Sequence, residues 1–222
     1  MSLKYHLIIG IMLPSLLIPA EYSLGEGIHG YITNEDTTPV DNADVSIFDG
    51  FTIQSVRSDN HGMYKISEAL VSPDHYAVLF FTKKDYTPKA VNIKVNREND
   101  FEYSAVMKKT DAGSAGLYGR HNAGDKPPRY GFVIGTIYQP IRGGKIKFQS
   151  GIYGFGKERR IWLEGEKGIV EKMSDMDGHF LFEVPPGEYR LGGEVTKEKA
   201  EVDVQEGETV IKNLRSGLIL ID

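Results

Sequence analysis

The residues best equipped for chemistry lie in 149–164, QSGIYGFGKERRIWLE, where Tyr153 and Phe155 sit among glycines ahead of Lys157, Arg159, Arg160 and the single tryptophan, Trp162. Aromatic rings can stack on sugars or peptide side chains, and arginines can pair with carboxylates or phosphates. These six form the candidate ligand-binding set. The competing reading is an extra hairpin in which Ile161 and Leu163 face one way and Trp162 fills a gap in the core. Other signals fail on context. Gly25-Glu26-Gly27-Ile28-His29-Gly30 spells a dinucleotide pattern, but an extended segment follows it rather than a helix. In Gly113-Ser114-Ala115-Gly116 a glycine abuts the serine, whereas a nucleophile elbow needs glycines two residues to either side and a strand before it. Asp175-Met176-Asp177-Gly178 clusters oxygens but lacks the closing Glu of a calcium loop, so turn stabilisation is its expected role. The pairs Glu164/Glu166 and Glu206/Glu208 fall in turn-like stretches and are expected to be solvated.

The elements that must carry these residues are strands. Ser174-Asp175-x-Asp177-Gly178 leads into the alternating run 179–184, and Pro185-Pro186-Gly187 turns the chain again. The same signature occurs upstream as Ser58-Asp59-Asn60-His61-Gly62. Its Gly is free to take positive φ and its Asp can bond nearby amides. About seven short strands are expected in the first half: 27–33, 40–48, 51–57, 63–67, 76–82, 90–95 and 101–107. Over 76–81 both alternating sets are apolar, which predicts a strand covered on two sides. In the second half, 132–138 is expected as a strand, and Pro140-Ile141 matches Pro39-Val40. That match places about fifteen extra residues near 149–164 in the second copy. Gly207 is expected in a hairpin turn.

With 25 Gly, 10 Pro, 12 Tyr and 10 Phe in 222 residues, the composition suits short strands and turns better than helices. The fold class is all-β, as two tandem sandwiches over 26–109 and 130–222 joined by a Gly/Pro linker at 110–129. A net charge of -5 argues against nucleic acid as a partner. Residues 1–25 read as a secretory signal: Lys4, an apolar run interrupted by Pro14, and cleavage after Ala20 or Gly25. The run falls short of the ~20 residues that span a bilayer. Export to the periplasm or beyond the cell is expected, with no membrane span after cleavage; a retained anchor is the alternative. With no cysteine in the chain, an exported protein must be held by burial and sheet hydrogen bonds.

Gly30, Pro39-Val40, Ala43, Val45, Ser58-Asp59, Gly62 and Tyr64, and in the second copy Pro140-Ile141, Gly144, Ile146, Ser174-Asp175, Asp177-Gly178, Phe180, Pro185-Pro186-Gly187 and Tyr189, resemble the carboxypeptidase regulatory-like domain. The resemblance implies a prealbumin-like, seven-stranded Greek-key sandwich of immunoglobulin-like type, in two copies, and a non-catalytic role. Metallocarboxypeptidases bind zinc through a separate domain with a His-x-x-Glu pair; none of His6, His29, His61, His75, His121 and His179 has Glu three residues later. The related transthyretin-like hydrolases end in Tyr-Arg-Gly-Ser, whereas this chain ends Leu220-Ile221-Asp222. No enzyme, metal or cofactor is expected. The sequence points to an interaction or scaffolding module with an envelope or extracellular protein as partner. The alternative is glycan binding, with Tyr153, Phe155 and Trp162 as a platform for a polysaccharide; a hydrolase ranks last.

Overall fold

The computed structural model describes residues 27–66, 76–94, 101–110, 130–142, 151–196, 199–216 and 219–220. Among these it is all-β with no helix. Residues 1–25 and all of the 110–129 linker except Thr110, with its Gly113, Ser114, Arg120 and His121, lie outside the described residues.

The first unit contains β1 (Ile28–Asn34), β2 (Asp44–Phe48), β3 (Ile53–Arg57), β4 (Met63–Ile66), β5 (Tyr76–Thr82), β6 (Lys89–Lys94), β7 (Phe101–Glu102) and β8 (Ala105–Met107). In one layer β4 runs antiparallel to β1, while β7 and β8 follow β1 in parallel. The other layer has the order β3-β2-β5-β6, all antiparallel. Ile32, Val45, Ile47, Tyr64, Leu79 and Phe81 meet between the layers. The buried Tyr64 hydroxyl donates to Tyr103 O at 2.7 Å, which satisfies a polar group that burial would otherwise penalise.

The second unit contains β9 (Gly131–Arg142), β10 (Ile152–Phe155), β11 (Arg160–Gly165), β12 (Gly168–Met173), β13 (His179–Val184), β14 (Gly187–Gly193), β15 (Ala200–Val204), β16 (Thr209–Ile211), β17 (Leu214–Arg215) and β18 (Ile219–Leu220). Apart from β10 and β18 it repeats the first unit strand for strand. Strand β13 is antiparallel to β9, β16 and β17 run parallel to it, and β12-β11-β14-β15 form the opposite layer. Val133, Ile137, Ile161, Leu163, Phe182 and Leu191 fill the space between. Gly207, with φ 72°, does not close a hairpin: β15 belongs to one layer and β16 to the other, so this turn carries the chain between layers.

Backbone bonds fix the alignment of the two copies. Ile32 N–H donates to Gly62 O at 2.8 Å and Val40 N–H to Ile32 O at 2.9 Å. Ile137 N–H donates to Gly178 O and Gly156 N–H to Ile137 O, both at 2.9 Å. Gly156 therefore stands where Val40 stands, and the Pro140-Ile141 match with Pro39-Val40 is not structural. The extra residues of the second copy precede Gly156: they prolong β9 and supply β10, whereas Arg160 and Trp162 belong to a strand both copies share. A period of two repeats along every extended segment, so pattern alone could not choose between two alternating stretches.

The added strand splices the units. Ile152 pairs with Pro140 of β9 on one side and with Tyr76 of β5 on the other, giving one continuous sheet through β13-β9-β10-β5-β2-β3. Side chains from both units meet in a third cluster, the seam: Phe48, Val78 and Phe80 against Ile134 and Ile152, with Leu181 and Ile211 beside them. Strand β5 therefore sends Ala77, Leu79 and Phe81 into its own core and Val78 and Phe80 into the seam. This is the two-sided burial its sequence predicts. Turn contacts extend the joint, with Asp85 N–H donating to Gly207 O at 3.0 Å.

Candidate functional site

The six candidate residues are divided among three places. Tyr153 projects from β10 with 56% of its surface exposed. Phe155, two residues on, is half-buried against the seam, its ring 5.7 Å from Tyr76 and 6.3 Å from His179 in edge-on geometry. Lys157, Arg159 and Arg160 are exposed on the turn that enters β11. That turn is held from the backbone side: Arg159 N–H donates to Ser174 Oγ at 2.9 Å, Ser174 N–H donates to Arg159 O at 2.9 Å, and Glu158 takes a left-handed φ of 49°. Three cations thus project from a fixed loop beside the Asp175 turn.

Trp162 lies elsewhere. Its neighbours Ile161 and Leu163 enter the second core, so the alternation of β11 turns Trp162 to the outer face of its layer. There it is half-buried over Gly192, where an added Cβ would sit 2.6 Å from the indole nitrogen. It fills no gap in the core. Phe155 packs on the far side of the opposite layer, with Ile134. The three rings therefore share no face, and the stacking platform that their spacing suggests is not assembled.

The outer face of β11, β14 and β15 also carries a shallow groove of about 580 Å³ lined by Glu164, Glu188, Arg190, Glu201 and Asp203. Glu164 Oε2 lies 3.9 Å from Arg190 Nη1 and 3.5 Å from Lys199 Nζ, pairs exposed enough to be screened by solvent. Among the described residues no three His, Asp or Glu side chains gather as metal ligands.

Sequence reasoning passed over two polar residues in the seam. His179 opens β13 and is only 8% exposed, and neither of its ring nitrogens finds a hydrogen-bond partner among the described residues. Asn92 on β6 donates through Nδ2 to Asp177 O at 2.9 Å, across the seam, while its Oδ1 is buried without a partner. Burial pushes the His179 imidazole below its ordinary value, against the opposing pull of the Asp175 and Asp177 carboxylates. In the sequence His179 is simply the residue after a turn glycine. Its counterpart in the first copy is Met63, which is exposed, and no local pattern separates the two.

No protein-family model matches the chain, and no curated protein sequence matches it. Among solved structures it is similar to the Bacillus anthracis TIE protein at a TM-score of 0.33 and 12% identity, over 86% of this chain and 34% of that one. It is also similar to GBS52, the minor pilin of Streptococcus agalactiae, at a TM-score of 0.30 and 10% identity, over 86% and 95% of the two chains. The third is BcpA, the major pilin subunit of Bacillus cereus, at 0.31 and 10%, over 86% and 99%. The chain spans about a third of the TIE protein's length. Likenesses this loose bear on neither activity nor assembly.

Proposed function

We propose that the chain is an exported, non-catalytic protein of two β-sandwich units, 26–109 and 130–222, acting as an interaction or scaffolding module in the periplasm or outside the cell. The observation that supports this most directly is the splice. An added strand and an apolar cluster join the units, so that surfaces on both keep a fixed relation, as a scaffold requires and a flexible linker would not provide. Its contact point is the cationic turn with Lys157, Arg159 and Arg160, flanked by exposed Tyr153, and the partner is an envelope or extracellular protein offering carboxylates. Loops on a rigid sandwich are common binding sites, and arginine pairs well with carboxylate. The test is recovery of partners from an envelope fraction by the full chain and by the Lys157→Glu/Arg159→Glu/Arg160→Glu variant. Loss with the variant supports the turn as the contact; equal recovery removes it.

A further inference from the structure

The seam combines strongly apolar packing with polar atoms that it leaves unmatched. On one side stand Phe48, Val78 and Phe80, on the other Ile134 and Ile152. Within this joint lie the unpartnered Nδ1 and Nε2 of His179 and Oδ1 of Asn92. A neutral imidazole can be buried there at lower cost than an imidazolium, which brings a full charge and two N–H donors, neither of them in hydrogen-bond contact with an acceptor.

The groups around the ring are few. On its own turn are the Asp175 and Asp177 carboxylates, which favour the charged form. Facing it are Phe155 on β10, with Tyr76 of β5 behind that ring, and Thr136, its cross-strand partner on β9. From β6 come Asn92, bonded to the same turn, and exposed Lys94 at the strand end opposite Tyr76; Lys157 follows Phe155 and is exposed. Asp175 Oδ1 is already occupied, accepting the amides of Asp177 and His179 at 2.9 and 2.8 Å.

We propose that His179 is an acid-sensitive latch between the two units: the neutral ring lets the seam close, and protonation loosens it without unfolding either core. Among the described residues no other histidine is buried, so the charge change falls on the joint. The inference does not depend on any partner of the cationic turn.

The chain has no cysteine, so an introduced thiol can report on the seam. Ala90 packs against the seam cluster, and Gln54 on β3 is exposed. Labelling rates of Ala90→Cys are compared with those of Gln54→Cys at about pH 7.5 and about pH 5, which cancels the pH dependence of the thiolate itself. The ratio is expected to rise severalfold on acidification in the His179 background. It is expected to stay flat with His179→Met, the residue the first copy carries at this place, and with His179→Gln. A flat ratio in the His179 background overturns the proposal, as does a persistent rise in either folded variant.

Discussion

Gly30 and Gly135 meet the same obstacle: a Cβ on Gly30 would run into the carbonyl of Tyr103, and one on Gly135 into the carbonyl of Lys212. In each copy the link between the two short strands parallel to β1 or β9 crosses a glycine, and an aromatic ring (Tyr64 or Phe180) also crowds the place a Cβ would take. Alanine at either site must push backbone apart. Gly30→Ala and Gly135→Ala should each destabilise by roughly 1–3 kcal/mol or more, by the usual cost of overpacking. Chemical denaturation measures this, and an unchanged midpoint would contradict the close approach.

Ser58 and Ser174 supply a second matched pair. The Ser58 hydroxyl accepts from Ala43 N–H at 2.9 Å and donates to Val40 O at 2.7 Å. That of Ser174 accepts from Arg159 N–H at 2.9 Å and donates to Gly156 O at 2.6 Å. The sequence separations, 15 and 18, are identical. Serine to alanine leaves a backbone donor and acceptor unmatched, at about 1–3 kcal/mol. Threonine, which keeps the hydroxyl, should recover part of the loss in the same assay.

Phe80 is buried in the seam, whereas its neighbour Phe81 is buried in the first core. Phe80→Ala should remove about 3–5 kcal/mol of packing from the joint. Calorimetry is expected to show two transitions in place of one, whereas Phe81→Ala should lower the stability of the first unit itself. A single transition with Phe80→Ala would mean that the units stay coupled without this ring, and would remove Phe80 as the group that joins them.

Acid should weaken the joint, and with it the stability that each unit draws from the other, through His179. Its folded-state pKa lies below the ordinary 6.5 because burial disfavours the charged ring. The unfolded chain therefore binds the proton first, and the contribution of this residue is complete above about pH 6.5 and lost as pH falls below it. Denaturation midpoints measured from neutral pH downward should fall in the wild type, and fall less in His179→Met.

Trp162 is the single tryptophan, on an outer face and half-buried. Its fluorescence should be quenched by neutral quenchers, and Phe155→Ala should leave its emission unmoved. A shift with Phe155→Ala would place the two rings closer than the layers allow.

Much of this architecture is legible in the residues themselves. The paired Ser-Asp turns, with Asp59 Oδ1 accepting the amides of His61 and Met63 just as Asp175 does for its own turn, follow from local side-chain chemistry. The doubly apolar run of β5 likewise announces a strand covered on both sides. What local reasoning missed was register and partnership. Pro140-Ile141 mimics Pro39-Val40 because alternation is shared by all strands, and only the hydrogen bonds of Gly156 reveal the true match. The candidate site suffers for a similar reason: Phe155 and Trp162 are close in sequence but enter different layers, so distance along the chain says little about distance in space. His179 and Met63 hold equivalent places, and only the packing of one unit on the other makes the first buried and the second exposed.

One cross-strand row carries a consequence for how such a molecule could grow. Phe48, Val78 and Asn92 lie abreast in the first unit, and Glu164, Arg190 and Glu201 occupy the same row in the second. The first row is a socket, the second a charged surface. Stacking a further sandwich there in the same pose would require Glu164 and Arg190 to become apolar, as Phe48 and Val78 are, and Glu201 to lose its charge, as Asn92 has none. The polarity of a single stripe thus sets whether a neighbouring sandwich can stack on that row in this pose.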